Sequence, residues 1–510
     1  MVAPSDFDDV APRYQEDPVS ERKQGNSCFA SGDYYGAIAH YSRSIELDET
    51  MVLSYLNRSL MYIRTECFGA AINDADKALR LLRLGIEQEQ MKKLSAKAYF
   101  RKGYSQYVLG HTSLALQSFY SALKFMPHDN ETIELCKACE KDETRRKFLI
   151  AIASEEIRRP YQVVDWRKIP LDKSLNEHQD CEFDEWEDQN VGSITREYID
   201  RLLLNFKKGK LPHQRYATRI MLEARDIFAK FPNAVAIEYP NESKITVFGD
   251  IHGQFFDLIH LFETNGYPST TNPYLFNGDI CDRGSYSVEC LLTLCAFKIL
   301  LPNHFFIARG NHEGLNLNKV YGFESEMRSK YSSDMFDLSH DVFRSLPLCH
   351  VLGGTVFVVH GGLFRENNVL IDDINNKVNR FCDIPDSGLM SDMVWSDPAP
   401  DNQLGRTENK RGVGVCFGPD VTEKFLNANQ LDLLVRSHEV KQDGYEVQHG
   451  GKCITVFSAP NYCGQVGNKA AFLEFMFDGQ KGALSTLSKP IIHQFDSAGN
   501  FQAGSFMSLI

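Results

Sequence analysis

Three short signatures carry the side chains best suited to chemistry in this 510-residue chain. They are Gly249-Asp250-Ile251-His252-Gly253, Gly278-Asp279-Ile280-Cys281-Asp282-Arg283-Gly284 and Gly310-Asn311-His312-Glu313. Carboxylate, amide and imidazole donors in one set suit hard-to-borderline divalent metals such as manganese, iron or zinc. Each signature follows an apolar run that reads as a buried strand: Lys244 to Phe248, Pro273 to Asn277 and His304 to Arg309. Open α/β sheets place their chemistry at the carboxyl ends of strands. The expected chemistry is therefore that of a two-metal hydrolase. Gly249, Gly253, Gly278, Gly284 and Gly310 are most simply needed for tight turns after the strands.

The elements that must position these groups are legible around them. Helices are expected at Phe255 to Glu263 and Tyr286 to Leu300, alternating with the strands. Ile194 to Phe231 reads as two amphipathic helices broken at Gly209-Lys210-Leu211-Pro212. Further strands are expected at Thr355 to Val359 and Leu431 to Val435, with a hairpin over Gly444 to Ser458. This mixture predicts a β-sandwich covered by helices. His360 and His438 fall just after two of these strands. A lone histidine there is more often a structural hydrogen-bonder, but two that repeat the Asp250/His252 arrangement read as further ligands.

Composition bounds the rest. A hydrophobic fraction of 43% and a charged fraction of 24% are those of a soluble globular protein. The net charge of -13 argues against a general nucleic-acid or anionic-membrane binder. No run approaches a membrane span, and Met1 to Pro18 is acidic without an apolar signal region. The expected setting is intracellular, cytoplasmic and nuclear. Thirteen scattered cysteines, an odd number, fit reduced thiols rather than a disulfide framework. The single Cys136-x-x-Cys139 reads as helix packing, because a zinc site needs a second half.

The N-terminal quarter repeats itself. Ala37-Ile38-Ala39-His40-Tyr41 and Ala71-Ile72-Asn73-Asp74-Ala75 open matching helices 34 residues apart, and Ala115-Leu116-Gln117-Ser118-Phe119 opens a third after an insertion around 82–94. A 34-residue helical period is that of tetratricopeptide repeats, and three are about the minimum that buries a continuous core. Such arrays form a concave peptide-binding groove. Arg22, Asn26, Asn57, Lys97 and Arg101 occupy first-helix positions that line one groove wall. Cations with amide donors suit a carboxylate-rich peptide. The five resemble the dicarboxylate clamp of repeat domains that grip the acidic C-terminal tails of heat-shock chaperones, with Arg22 where that pattern usually has Lys.

Residues 128 to 160 read as a continuing charged helix. The C-x5-R spacing of Cys139 and Arg145 has no glycine cradle or preceding strand, so it is not a cysteine-phosphatase loop. Glu177, Asp180, Glu182, Asp184, Glu185, Glu187 and Asp188 then form an acidic block, which reads as a solvated linker in which Phe183 and Trp186 offer a docking contact.

The three signatures, with His360-Gly361-Gly362, Trp395-Ser396-Asp397-Pro398, Lys410-Arg411-Gly412, Arg436-Ser437-His438-Glu439 and Ser458-Ala459-Pro460-Asn461-Tyr462-Cys463, resemble the phosphoprotein phosphatase branch of the calcineurin-like metallophosphoesterases. With the repeats, the chain resembles a tetratricopeptide-repeat-containing member of that family. The resemblance implies two divalent ions (manganese, iron or zinc, with manganese the one expected to serve in vitro). One would be held by Asp250, His252 and Asp279, and the other by the shared Asp279 with Asn311, His360 and His438. A hydroxide activated by both metals would attack phosphoserine or phosphothreonine in line. Arg283 and Arg411, with Asn311, would grip the phosphoryl oxygens. His312, oriented by Asp282, would be the general acid, and Tyr462 would border the cleft. Cys281 is expected to face the core and Cys463 to lie open to electrophiles near the cleft.

The same resemblance implies that the repeat domain covers the catalytic cleft with help from the C-terminal segment, and that groove ligands release it. Here that segment, with Gly499 and Gly504, is a poor helix former. The domains expected are 17–130 for the repeats, 131–195 for a helical then acidic linker, 196–492 for the phosphatase and 493–510 for the tail. The partners expected are phosphoprotein substrates and a heat-shock chaperone, with no nucleic acid, and the protein is expected to be a monomer. Two rival readings are an inactive co-chaperone scaffold, against which the complete ligand set argues, and a nucleotide phosphodiesterase on the same metal platform.

Overall fold

A computed structural model of the chain describes residues 17–83, 88–151, 159–170, 179–180, 194–240, 243–478, 486–487 and 489–498. Most of the acidic block, with Phe183 and Trp186, and the tail from Gly499 lie outside the described residues. The chain divides into two compact units, one running to Lys147 and one from Phe148 that also takes in Val108–Gly110. Among the described residues no helix is long and apolar enough to cross a membrane.

The first unit is helical: α1 Pro18–Ala30, α2 Tyr34–Leu47, α3 Val52–Arg64, α4 Phe68–Leu82, α5 Gln88–Val108, α6 Thr112–Phe125 and α7 Asn130–Ala151. Asp17 caps α1, accepting from the amides of Val19 and Ser20, and Pro18 takes the first helical position where no amide hydrogen is needed. Ala37, Ala71 and Ala115 are each fully buried, so these small residues let the paired helices approach. Gly25 does the same from the other side, because a Cβ there would stand 2.6 Å from the Tyr41 ring. Most of the insertion lengthens α5, which has 21 residues where α1 and α3 have 13. The expected helix does not reach 160. Arg159 is extended and Pro160 opens a separate short helix, Pro160–Val163, because the residue before a proline avoids helical geometry.

The second unit is a sandwich of two sheets. One has the order Thr486–Leu487, Ala470–Asp478, Lys244–Phe248, Tyr274–Phe276, Phe305–Ile307, with Ile491–Phe495 also paired to Ala470–Asp478. The other runs Tyr445–Gln448, Cys453–Val456, Leu433–Arg436, Val356–Val359, Cys349–Leu352, Ala234–Ile237. Strand periodicity builds the layers: Ile245 and Val247 point into the inter-sheet core with Val358, Val435 and Val456, while Phe248 points outward against the helices. The helices Arg196–Lys207, Gln214–Phe228, Phe255–Asn265 and Ser287–Leu300 cover the first sheet's outer face. The central strands are shorter than expected. The Asn277 side chain donates across the sandwich to the Val359 carbonyl (2.8 Å) and Ser437 Oγ (2.9 Å), while its backbone amide still donates to the Phe248 carbonyl (2.9 Å). The segment 159–168 is fixed to this unit: the Arg225 guanidinium lies 3.6 Å from the centre of the Tyr161 ring, and that of Arg219 lies 4.7 Å from Trp166.

Two buried histidines make this unit acid-sensitive. His340 lies between Phe336 and Phe343, and His350 lies beside Phe306; neither ring has a hydrogen-bond partner among the described residues. Burial pushes both down to about 3. In the unfolded chain they titrate at about 6.5. Below that pH the unfolded state takes up protons that the fold refuses, so the stability present above pH 6.5 is lost as the pH falls toward 3. Each contributes up to about 1.4 kcal/mol per pH unit. Urea titrations of the second unit's transition at pH 7 and pH 5.5 should show this loss, and His350→Leu should about halve it. Equal stability at both pH values would refute the assignment.

Candidate active site

Register gathers the three signatures. Phe248 pairs with Phe276 and Phe276 with Ile307 in parallel strands, so the three loops leave one sheet edge together. In the second sheet Val358 pairs with Val435, which brings His360 and His438 to the matching edge. The backbone there is strained. His252, Asp279, Asp282, Arg283 and His438 have φ of 48, 49, 72, 71 and 71°. Left-handed geometry at non-glycine residues costs roughly 1–2 kcal/mol each.

Hydrogen bonds hold these turns in place. Glu313 accepts from the amides of Asp279 (2.9 Å), Ile280 (2.9 Å) and Gly310 (2.8 Å) and so staples two of the loops. The expectation that all five glycines serve turns is corrected in part. Gly278, at φ 91°, does; Gly310 is needed for close approach, since its Cβ would stand 2.2 Å from Asp279 Oδ1.

The donor atoms of His252, Asp279 and His312 lie within 4.8 Å of one another, as do those of Asp279, His360 and His438, so Asp279 belongs to both groups. Asp250 joins the first side, with Oδ2 3.5 Å from His252 Nε2 and Oδ1 accepting from the His438 amide. The Asn311 amide faces the second, 2.9 Å from His360 Nε2.

The donor set fits divalent cations. His252 Nδ1 faces the Cys281 carbonyl (3.1 Å) and His360 Nδ1 the Asn277 carbonyl (2.7 Å). A carbonyl only accepts, so in each neutral ring the hydrogen sits on Nδ1 and the Nε2 lone pair faces Asp279, at 3.6 and 3.3 Å. Acceptors that face each other so closely are satisfied by a cation or a proton between them. Burial opposes charge on His360, but the Asp279 carboxylate outweighs it and raises that nitrogen's proton affinity. For Asp279 itself burial acts upward, and the neighbouring His360 and His312 hold its carboxyl well below the usual range. Burial, followed by the charges of Arg411 and His360, keeps His438 neutral, the form in which imidazole ligates metals. Asp250 Oδ2 has no hydrogen-bond partner among the described residues.

The remaining site residues are each held by a neighbour. His312 Nδ1 lies 2.7 Å from Asp282 Oδ2, with both side chains buried. Asp282 also accepts from Asn318 Nδ2 (2.8 Å) and the Phe323 amide (3.0 Å). The Arg283 guanidinium lies 3.9 Å from the centre of the Tyr321 ring. Arg411 Nε donates to Asp397 Oδ2 (2.6 Å), and Asp397 Oδ1 takes Arg436 Nη2 (2.8 Å). Tyr462 packs 5.0 Å from the His252 ring. Cys281 is buried in the helix-covered core, where burial pushes its thiol well above the usual range. Cys463 is only 8% exposed, which corrects its expected openness to electrophiles. Sequence reading missed the positioning roles of Glu313, Asp397 and Asn318. The first two stood inside quoted signatures, whereas Asn318 carries no local signal.

In the repeat unit Asn57 Nδ2 donates to Asn26 Oδ1 (3.0 Å), which also accepts from the Tyr41 hydroxyl (2.8 Å). Arg22 and Arg101 both act electrostatically on Tyr41. Arg101 is tied to the Leu56 carbonyl, and burial lowers its guanidinium to about 10. Lys97 is exposed one turn away on α5.

Residues 243–442 match the calcineurin-like phosphoesterase family and residues 136–236 the PPP5 TPR repeat region. The chain is 43% identical to human serine/threonine-protein phosphatase 5 over 93% of its length and 89% of that protein. It is equally identical to serine/threonine-protein phosphatase T of Trypanosoma brucei brucei, over 92% of this chain and 94% of that one. A solved protein serine/threonine phosphatase from Saccharomyces cerevisiae with similarity to human phosphatase PP5 superposes with a TM-score of 0.56 at 38% identity, covering 60% of this chain and 96% of that one. The chain belongs to the serine/threonine-protein phosphatase 5 family of metal-dependent phosphoprotein phosphatases.

Proposed function

We propose that the chain hydrolyses phosphoserine and phosphothreonine in proteins by a one-step, in-line displacement at this site. The observation that carries the reading is Asp279 standing in both donor groups beside the buried His312–Asp282 pair. Asp250, His252 and Asp279 would hold one divalent cation, and Asp279 with Asn311, His360 and His438 another; when bound, such cations would supply Lewis acidity and make water more acidic. The shared Asp279 carboxylate offsets their mutual repulsion, and the neutral imidazoles avoid quenching their charge. Arg283 and Arg411 grip the phosphoryl oxygens, with Asp397 aiming Arg411. Asn311 adds a further donor, and Tyr462 borders the cleft. His312 gives a proton to the departing serine or threonine oxygen, and Asp282 holds its imidazole in the donating orientation. Loss of activity in Asp279→Asn and His312→Ala is the test.

The repeat unit docks the acidic C-terminal tail of a heat-shock chaperone and restrains the catalytic unit until it does. Support comes from the Arg22, Asn26, Asn57, Lys97 and Arg101 set, in which the buried Arg22 Nε has no hydrogen-bond partner among the described residues. An acidic C-terminal chaperone peptide should bind in calorimetry and raise the activity of the full chain toward that of a 159–510 fragment, which keeps Tyr161 and Trp166. Arg101→Ala should abolish both effects. Unchanged peptide affinity in that variant, or equal activity of fragment and full chain without peptide, would refute the corresponding half of the reading.

A further inference from the structure

The loop that presents Asp282 and Arg283 is strained at both residues, with φ of 72 and 71°. Ser287 Oγ accepts from the Asp282 amide at 3.1 Å, and Ser287 is the first residue of the helix Ser287–Leu300. That helix has no side-chain cap at its N-cap residue, Tyr286. Its first two amides, of Ser287 and Val288, donate instead to Glu326 Oε2 (3.0 Å) and Oε1 (2.8 Å). Glu326 lies on the neighbouring helix Phe323–Lys330. Lys330, one turn further on, binds Glu326 Oε1 (2.7 Å), Glu289 Oε2 (2.5 Å) and the Ser285 carbonyl (3.0 Å).

This segment reaches the loop at other points too. The Phe323 amide donates to Asp282 Oδ1, and the Tyr321 carbonyl accepts from the Arg283 amide at 3.0 Å. The ions are well shielded: the Glu326 side chain is 11% exposed and that of Glu289 5%. Removing the Glu326 carboxylate would leave two helix-end amides without an acceptor and Lys330 with one carboxylate fewer.

We propose that Glu326, held by Lys330, is a positioning residue for phosphate recognition: it fixes the start of the helix Ser287–Leu300 and through it the setting of Arg283. The inference rests on the reading of Arg283 as a phosphoryl grip. It acts at a distance from the substrate, so its signature is coupling to Arg283 rather than a simple loss of stability.

The test is a double-mutant cycle in the full chain, with p-nitrophenyl phosphate as substrate and inorganic phosphate as competitive inhibitor. Glu326→Gln keeps the side chain's shape and one acceptor oxygen. It is expected to lower kcat/KM by about tenfold, chiefly through KM, and to weaken phosphate inhibition by a similar factor. In an Arg283→Ala background the same substitution should change kcat/KM by less than about twofold. Lys330→Met, which leaves both amide bonds in place, should show the same coupling at smaller size and guards against misfolding of the first variant. Equal losses with and without Arg283, or unaltered phosphate inhibition in Glu326→Gln, would overturn the positioning role. Unaltered phosphate inhibition in Arg283→Ala alone would overturn the phosphoryl-grip reading itself and the inference with it.

Discussion

Asp279→Asn is expected to reduce phosphatase activity by about 10³-fold or more, equivalent to about 4 kcal/mol of transition-state stabilisation. Its carboxylate is common to both donor groups, so this one substitution weakens both at once. An amide matches its shape but removes the charge that offsets two cations and turns a donor toward the lone pairs at the centre of the site. The fold should survive. The Asp279 amide still bonds Glu313 Oε2, and its carbonyl still accepts from the amides of Ile251 and His252. Melting temperature, metal content by atomic emission and kcat on a phosphoserine peptide separate the effects. Near-native melting with lost metal and lost activity is the expected result, and full activity with full metal loading would sink the bridging assignment.

His312→Ala is expected to cost about 10² to 10⁴-fold on a phosphoserine peptide, the usual range for a general acid. The test lies in the leaving group. A serine alkoxide departs poorly without a proton, whereas p-nitrophenolate departs readily. The loss on p-nitrophenyl phosphate should therefore be at least about tenfold smaller if proton donation is the role. Asp282→Asn should follow the same pattern, because Asp282 holds His312 Nδ1 at 2.7 Å and is itself fixed by Asn318 and the Phe323 amide. The same loss on both substrates would instead indicate that His312 serves binding or metal retention, a role its place in the His252–Asp279 donor group makes a fair rival.

Much of the catalytic fold was legible because its periodicities are clean. The strand Lys244–Phe248 and the helices after it fall where the alternation of Ile245, Val247 and the later apolar runs put them. The helix pairs of the repeat unit followed from small residues 34 apart, and the burial of Ala37 and Ala71 shows why only small residues suit those positions. The expected helix over 128–160 did not run to 160 because charge pattern outweighed the rule that a residue before proline is extended, which Arg159 obeys. The cross-sandwich bonds of the Asn277 side chain were not legible, since they join residues 82 and 160 positions apart that only the facing of the two sheets brings together.

The donor types at Asp250, His252, Asp279, Asn311, His360 and His438 were set by the sequence alone, because the loops that carry them are short and each follows a strand whose end is fixed by its apolar run. What lies around those donors was decided only by tertiary structure. The ring tautomers depend on which carbonyl faces each histidine, those of Cys281 and Asn277. The aim of Arg411 depends on Asp397, 14 residues away, and the stability of the Asp282–Arg283 turn depends on Glu326 and Lys330, more than 40 residues on in the chain. Buried polar groups must find partners wherever the fold supplies them, and such pairings follow three-dimensional proximity rather than any local period. The chain itself specified the donor types, and packing specified their orientation, charge state and support.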